Sequence, residues 1–177
     1  MQTKHWKDFY ESHKETQGAS SFAKFTLRLM RDSGGKVVDL GSGDGRDTNF
    51  FKKWDIDVTP VDIATTGVSV KDYMKDNSSP KYVYTRFFWH AISREEQLAI
   101  LEWASDYVLI EARTTDDEGR TKIYDDHNRN YVDVNKLVSD LKYHGFEIRY
   151  LAEGTNFSKM EDEDPHLVRV VAHKTKK

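Results

Sequence analysis

The stretch Val37-Val38-Asp39-Leu40-Gly41-Ser42-Gly43-Asp44-Gly45 constrains the fold more than any other part of this chain. Lys36 to Leu40 reads as a short buried strand, and glycines at every second position then break it. A helical pattern follows near Asp47 to Trp54. Glycines between a buried strand and a helix let the backbone approach a ligand closely, beside the helix's positive end. The detail narrows the ligand. A dinucleotide fingerprint G-x-G-x-x-G needs its third glycine where this chain has Arg46, and a P-loop must end in G-K-[ST], which never occurs here. Asp39 stands at the strand tip instead, giving D-x-G-x-G-x-G. A carboxylate there repels a pyrophosphate and suits a ligand that carries an ammonium group.

Strand and helix patterns alternate along the rest of the chain. Ser20 and Ser21 are placed to cap a helix with Phe22, Phe25, Leu29 and Met30 inward, stopped by Gly34 and Gly35. Val58 to Ile63 reads as a second strand, Val68 to Lys71 as a short third and Lys81 to Phe88 as a fourth. Ser93-Arg94-Glu95-Glu96 is a capping box, opening a helix that carries Leu98, Leu101 and Trp103. Tyr107 to Glu111 is a fifth strand. Asp133 caps a helix with Leu137, Val138 and Leu141 inward, and Phe146 to Leu151 and Leu167 to Ala172 form a closing antiparallel pair. The order predicts an α/β fold in one domain over residues 1–177, with a mostly parallel sheet and an antiparallel C-terminal strand pair. A formal net charge of -3 offers no broad basic face for nucleic acid. Cysteine is absent, which excludes disulfides and thiolate metal sites and matches a cytoplasmic setting. No apolar run approaches the roughly 20 residues that span a bilayer, and the first residues lack the apolar core of a signal peptide.

With Asp39 ahead of its glycines, the chain resembles the Rossmann-like S-adenosylmethionine-dependent methyltransferases. The resemblance covers nearly the whole chain in element order. It implies S-adenosylmethionine as cofactor, S-adenosylhomocysteine as product, and Asp39, Gly41, Ser42 and Gly43 at the methionine part of the cofactor. Asp62, with Ile63 beside it, matches the acidic residue that ends the second strand and binds the ribose hydroxyls, roughly 20 residues on. Asp72 and Tyr73 match the position near the adenine, and Arg86, at the end of the fourth strand, is a further candidate cofactor contact. One departure is plain: family members insert a full helix between strands two and three, whereas only Ala64 to Gly67 is available here. That edge of the sheet is expected to be trimmed.

Ligands of open α/β sheets bind at the carboxyl ends of the strands. That end receives Arg86, Phe88, Trp89 and His90 from strand four, Glu111 and Arg113 from strand five, and Asp126, His127, Arg129 and Tyr131 from a later loop. The resemblance and this concentration of Arg and His imply methyl transfer to a small, anionic acceptor, since arginine forks grip carboxylate or phosphate. His90, His127 and Glu111 are the candidate bases. Arg113, Arg129, Tyr131 and Tyr10 are the candidate acceptor contacts, Tyr10 coming from a Trp6-Phe9-Tyr10 cluster that fits a lid or a brace. Structural roles compete: His90 can close the turn into the Ser93 helix, and Arg86 can bridge to Glu111. No metal-ligand spacing is present, and a non-catalytic S-adenosylmethionine-binding module stands as the alternative function. The oligomeric state is left open.

Overall fold

The computed structural model describes residues 18–120, 129–159 and 163–175. The elements are α1 (Ser21–Ser33), β1 (Val37–Leu40), α2 (Arg46–Lys53), β2 (Val58–Val61), α3 (Val70–Asp76), β3 (Tyr82–Arg86), α4 (Arg94–Trp103), β4 (Tyr107–Arg113), α5 (Val134–Tyr143), β5 (Phe146–Gly154) and β6 (Leu167–Lys174). Short 3-10 turns follow β3 (Trp89–Ala91) and β4 (Thr115–Asp117).

Six strands form one sheet in the order β2-β1-β3-β4-β6-β5. The first four are parallel, and β6 runs antiparallel to both β4 and β5. From β1 the chain steps through α2 to β2, then through α3 back past β1 to β3. Because such crossovers keep one hand, opposite steps place their helices on opposite faces. The two apolar clusters record this. Phe22, Ala23 and Met30 of α1 and Phe51 of α2 pack with Val37, Tyr82, Tyr84 and Leu109. On the other face Val38, Leu40, Val83 and Ile110 meet Tyr73 and Met74 of α3, Ile100 and Leu101 of α4, and Leu137 and Leu141 of α5.

The α/β architecture matches the sequence expectation, and several details correct it. Val68 to Lys71 is no strand: Ser69 accepts a hydrogen bond from Asp72 N and caps α3, whose residues cover the space between β2 and β3. Among the described residues the sheet therefore has six strands, with β2 at one edge. Asp57 O, just before β2, accepts from Val37 N (2.9 Å), and Val61 O at its end accepts from Gly41 N (2.8 Å), just past β1. Pro60 lies on the alternate, outward positions, where its missing N–H costs no ladder bond. β3 stops at Arg86 rather than Phe88, because Phe87 takes a left-handed conformation with φ 54°. On α1 the buried positions are Phe22, Ala23, Thr26 and Met30, so Phe25 turns outward, 40% exposed, with its ring 4.7 Å from that of Tyr150.

This rotation of α1 separates two phenylalanines that look alike in sequence. Phe22→Ala should cost about 3–5 kcal/mol in chemical denaturation, as for other fully buried aromatics, and Phe25→Ala should cost about 1 kcal/mol or less. Equal losses would contradict the helix orientation.

Candidate functional site

The chain leaves β1 towards β2 on one side and leaves β3 towards β4 on the other, so the crevice between the carboxyl ends of β1 and β3 is the topological switch point. The glycine turn Gly41 to Gly45 lies there. Its three glycines all have positive φ (74°, 56° and 81°). Gly41 is also required for space: a Cβ there would stand 2.3–2.6 Å from the Phe88 side chain.

Backbone and acid contacts tie this turn to the end of β2. Asp62 Oδ2 accepts from Gly43 N (3.1 Å), and Asp62 Oδ1 accepts from Ala64 N (2.8 Å) and Thr65 N (3.2 Å). Thr65 Oγ1 returns a bond to Gly43 O (2.6 Å). Asp62 is half-buried, with Ile63 beside it in the same turn. Ser42 Oγ is buried and makes no hydrogen bond among the described residues.

Beneath the turn Asp39 is 3% exposed, and Thr48 Oγ1 donates to its Oδ2 at 2.6 Å. Burial pushes its carboxyl up to about 7, with Asp47 and Asp62 adding to the rise while Thr48 and Arg86 oppose it. Asp47 behaves differently. Burial raises it too, but the charges of Arg86 and Arg46 and two bonds from Ser20 outweigh that and hold it below the usual carboxylate range. Ser20 N (2.9 Å), Ser20 Oγ (2.7 Å) and Tyr84 OH (2.8 Å) all donate to Asp47, which locks the cap of α1 onto the first turn of α2.

At the ends of β3 and β4 the arginines are matched by internal carboxylates. Glu111, fully buried, accepts from Arg86 Nε (3.0 Å), Arg169 Nε (2.6 Å) and Ser158 Oγ (3.2 Å). The bridge between Arg86 and Glu111 is thus formed. Arg113 is 4% exposed, and its guanidinium reaches Asp117 at 2.7 Å and Glu163 at 2.5 Å. The positive charge expected to face an anionic acceptor is, for Arg86 and Arg113, spent inside the protein. His90 is buried in the turn after β3, where its Nδ1 accepts from Arg113 N (3.1 Å). A neutral imidazole so held carries its proton on Nε2 and presents a donor there. Asn130 N donates to His90 O (2.7 Å) and Val132 N to Arg113 O (3.0 Å), so half-buried Arg129 and Tyr131 lie on a segment fastened to this end of the sheet.

Two expected cofactor contacts lie on α3. Asp72 is exposed on α3 and accepts from its own cap, Ser69 Oγ (2.6 Å), and the Tyr73 ring packs edge-on against Trp103 of α4 at 6.1 Å. Tyr10, Asp126 and His127 lie outside the described residues, as do Trp6 and Phe9. Sequence reasoning missed Arg169, Asp117, Glu163 and Tyr84. For Arg169 a signal existed: a single charge inside Leu167-Val168-Arg169-Val170-Val171 must find a partner when that strand is buried. Asp116, Glu153 and His166 bring donor atoms within 4.8 Å of one another beyond β4, with both carboxylates exposed.

No family model matches this chain, and no curated protein matches it. Solved structures do match in shape. A 1,6-didemethyltoxoflavin N1-methyltransferase from Burkholderia thailandensis aligns with a TM-score of 0.68 at 15% identity, covering 98% of this chain and 87% of that one. The glycopeptide N-methyltransferase MtfA aligns at 0.63 and 13% identity over 99% of both chains. Magnesium protoporphyrin IX methyltransferase from Synechocystis PCC 6803 aligns at 0.63 and 12% identity, covering 86% of this chain and 82% of that one. All three were crystallised with S-adenosylhomocysteine bound. The chain has the Rossmann-like fold of the class I S-adenosylmethionine-dependent methyltransferases.

Two substitutions test the buried charges. Asp39 has a folded pKa raised above its unfolded value of 3.8, so its penalty is absent below pH 4, grows as pH rises and is complete above about pH 7. Asp39→Asn should therefore raise stability by about 2–4 kcal/mol at pH 8, with the gain shrinking towards zero by pH 4 in thermal melts. Glu111→Gln leaves two guanidinium groups without their anion and should cost about 3–5 kcal/mol, read as a fall in denaturation midpoint.

Proposed function

We propose that this chain is an S-adenosylmethionine-dependent methyltransferase acting on a small acceptor. The observation that carries the reading is the juxtaposition of Asp62 with the glycine turn at the switch point. The Asp62 carboxylate lies 3.1 Å from Gly43 N, in a fold shared with structures that hold S-adenosylhomocysteine. The residues present fit that cofactor. Asp62 has lone pairs left for ribose hydroxyls after its three backbone bonds. Asp39 offers a carboxyl to an ammonium group, and Ser42 Oγ is a buried hydroxyl in want of a partner. When bound, the sulfonium supplies a methyl group already activated for in-line displacement. The adenine contacts are assigned to the half-buried residues around Ile63 ahead of Asp72 and Tyr73, which supports a trimmed adenine side.

The protein's remaining tasks are alignment and, for a hydroxyl or ammonium acceptor, removal of a proton. We assign the base to His127. Glu111 is held by two guanidinium groups, and His90 would have to give up its bond from Arg113 N to accept a proton at Nδ1. An acceptor that is already a nucleophile, such as a carboxylate, needs no base. Arg86 and Arg113 are committed to carboxylates; the acceptor contacts are assigned to Arg129 and Tyr131, on the half-buried segment fastened to this end of the sheet, with Tyr10 as a further contact. The same commitment favours a second reading, a module that binds S-adenosylmethionine without turning it over.

Calorimetric titration separates these from failure. The folded protein should bind S-adenosylmethionine and S-adenosylhomocysteine with micromolar dissociation constants, on the order of -8 kcal/mol, and should not bind NAD. Asp62→Asn should weaken both about tenfold or more, the cost of a charge-assisted hydrogen bond. Failure of the folded chain to bind either adenosyl ligand would sink the proposal. Binding without methyl transfer to any of a panel of small acceptors would favour the non-catalytic module.

A further inference from the structure

We propose that Asp116, Glu153 and His166 bind one divalent transition-metal ion, of which zinc is the type, where β4, β6 and β5 end the sheet. The inference is independent of the cofactor reading: the glycine turn lies on the other side of β3, and none of its residues takes part.

The three ligands come from three segments that the sheet brings together. β4 and β6 keep their register past the pair Arg113 and Leu167, so that Thr114 N donates to His166 O (3.1 Å). On the far side of β6, Glu153 pairs with Val168, two residues from His166 and therefore on the same face. Asp116 comes from the 3-10 turn that follows β4. Donor atoms of all three side chains lie within 4.8 Å of one another. No spacing in the sequence announces this set, because its members stand 37 and 13 residues apart.

These groups converge without satisfying one another. His166 Nδ1 is 3.9 Å from Glu153 Oε1, too far for a hydrogen bond, and lies 2.7 Å from Thr114 Oγ1 instead. Among the described residues neither carboxylate has an arginine or lysine partner. Arg113 is taken by Asp117 and Glu163, and Arg120 Nε donates to the Asp116 backbone carbonyl (3.1 Å). Two like charges this close repel, and one divalent cation cancels both. The imidazole is already braced from behind. His166 N donates to Asp117 Oδ1 (2.8 Å) and Thr114 Oγ1 holds the ring, the outer support that metal-bound histidines have.

The donor set selects the ion. One imidazole nitrogen and two carboxylate oxygens suit zinc and its first-row neighbours, whereas magnesium and calcium prefer oxygen alone. Ligand atoms about a tetrahedral zinc stand about 3.4 Å apart, so the exposed Asp116 and Glu153 side chains need swing inward by only about 1 Å. Water completes the fourth position. The bound ion ties the turn after β4 to β5 and to the start of β6.

The test is calorimetric titration of the chelator-treated full chain with zinc chloride, compared with magnesium and calcium chloride, beside thermal melts. Zinc should bind one to one with a dissociation constant on the order of micromolar and raise the melting midpoint by a few degrees. Asp116→Asn and Glu153→Gln should each weaken binding about tenfold or more, and His166→Ala should abolish it. His144→Ala, at the C-cap of α5, should leave it unchanged. Magnesium and calcium should bind about a hundredfold more weakly or worse. Both carboxylates are exposed, so their variants carry the test should His166→Ala fail to fold. No zinc binding by the folded chain, or binding unchanged by all three ligand substitutions, would overturn the inference. So would magnesium or calcium binding that matches zinc and survives His166→Ala, the mark of an acidic patch and no metal centre.

Discussion

Glu111 lies near the end of β4, with a parallel strand on one side and an antiparallel strand on the other, and has no contact with solvent. A lone carboxylate there would cost several kcal/mol. Arg86 and Arg169, its register partners on β3 and β6, close on it from both sides. Arg169 also donates to Ser21 Oγ at the start of α1 and to Phe157 O in the β5–β6 connection. One buried anion thus registers three strands, a helix start and a loop at the end of the sheet where the glycine turn lies. Remove it and two cations are left facing each other across β4.

The same principle runs along the rest of that rim. Asp47 joins Ser20 to Tyr84, and Arg113 joins Asp117 to Glu163, so each buried charge has an opposite charge or several donors. The two apolar clusters below carry the folding energy, while this polar rim fixes which backbone ends meet. Among the described residues Asp39 is the exception, a buried acid with a single donor beneath the glycine turn.

The alternation of strands and helices, the glycine turn, the antiparallel pair and the Ser93 capping box were legible because each depends on residues close in sequence. What failed were patterns with two readings. Val68 to Lys71 has apolar alternation, but Ser69 and Asp72 together cap a helix and decide the matter. Phe25 falls in the apolar period of α1, yet the helix rotates so that Thr26, bonded to Phe22 O and Ala23 O, takes the inner position. Arg86 and Arg113 were visible as part of a polar concentration, but their partners Glu111, Asp117 and Glu163 lie up to 50 residues away, the span from Arg113 to Glu163. Periodicity says which face a residue occupies and is silent on which charge will meet it.

Pro60 gives the outer strand a further property. A strand at the rim of a sheet is a template on which a second chain can lay its own backbone and extend the ladder. The outward positions of β2 are Val58 and Pro60, and only the first has an N–H to give. An incoming strand would find two carbonyls and a single donor along four residues, too little to hold its register. With a proline in this edge strand, the sheet ends on a side that resists edge-to-edge aggregation, and any growth by strand addition would fall to β5 at the opposite margin.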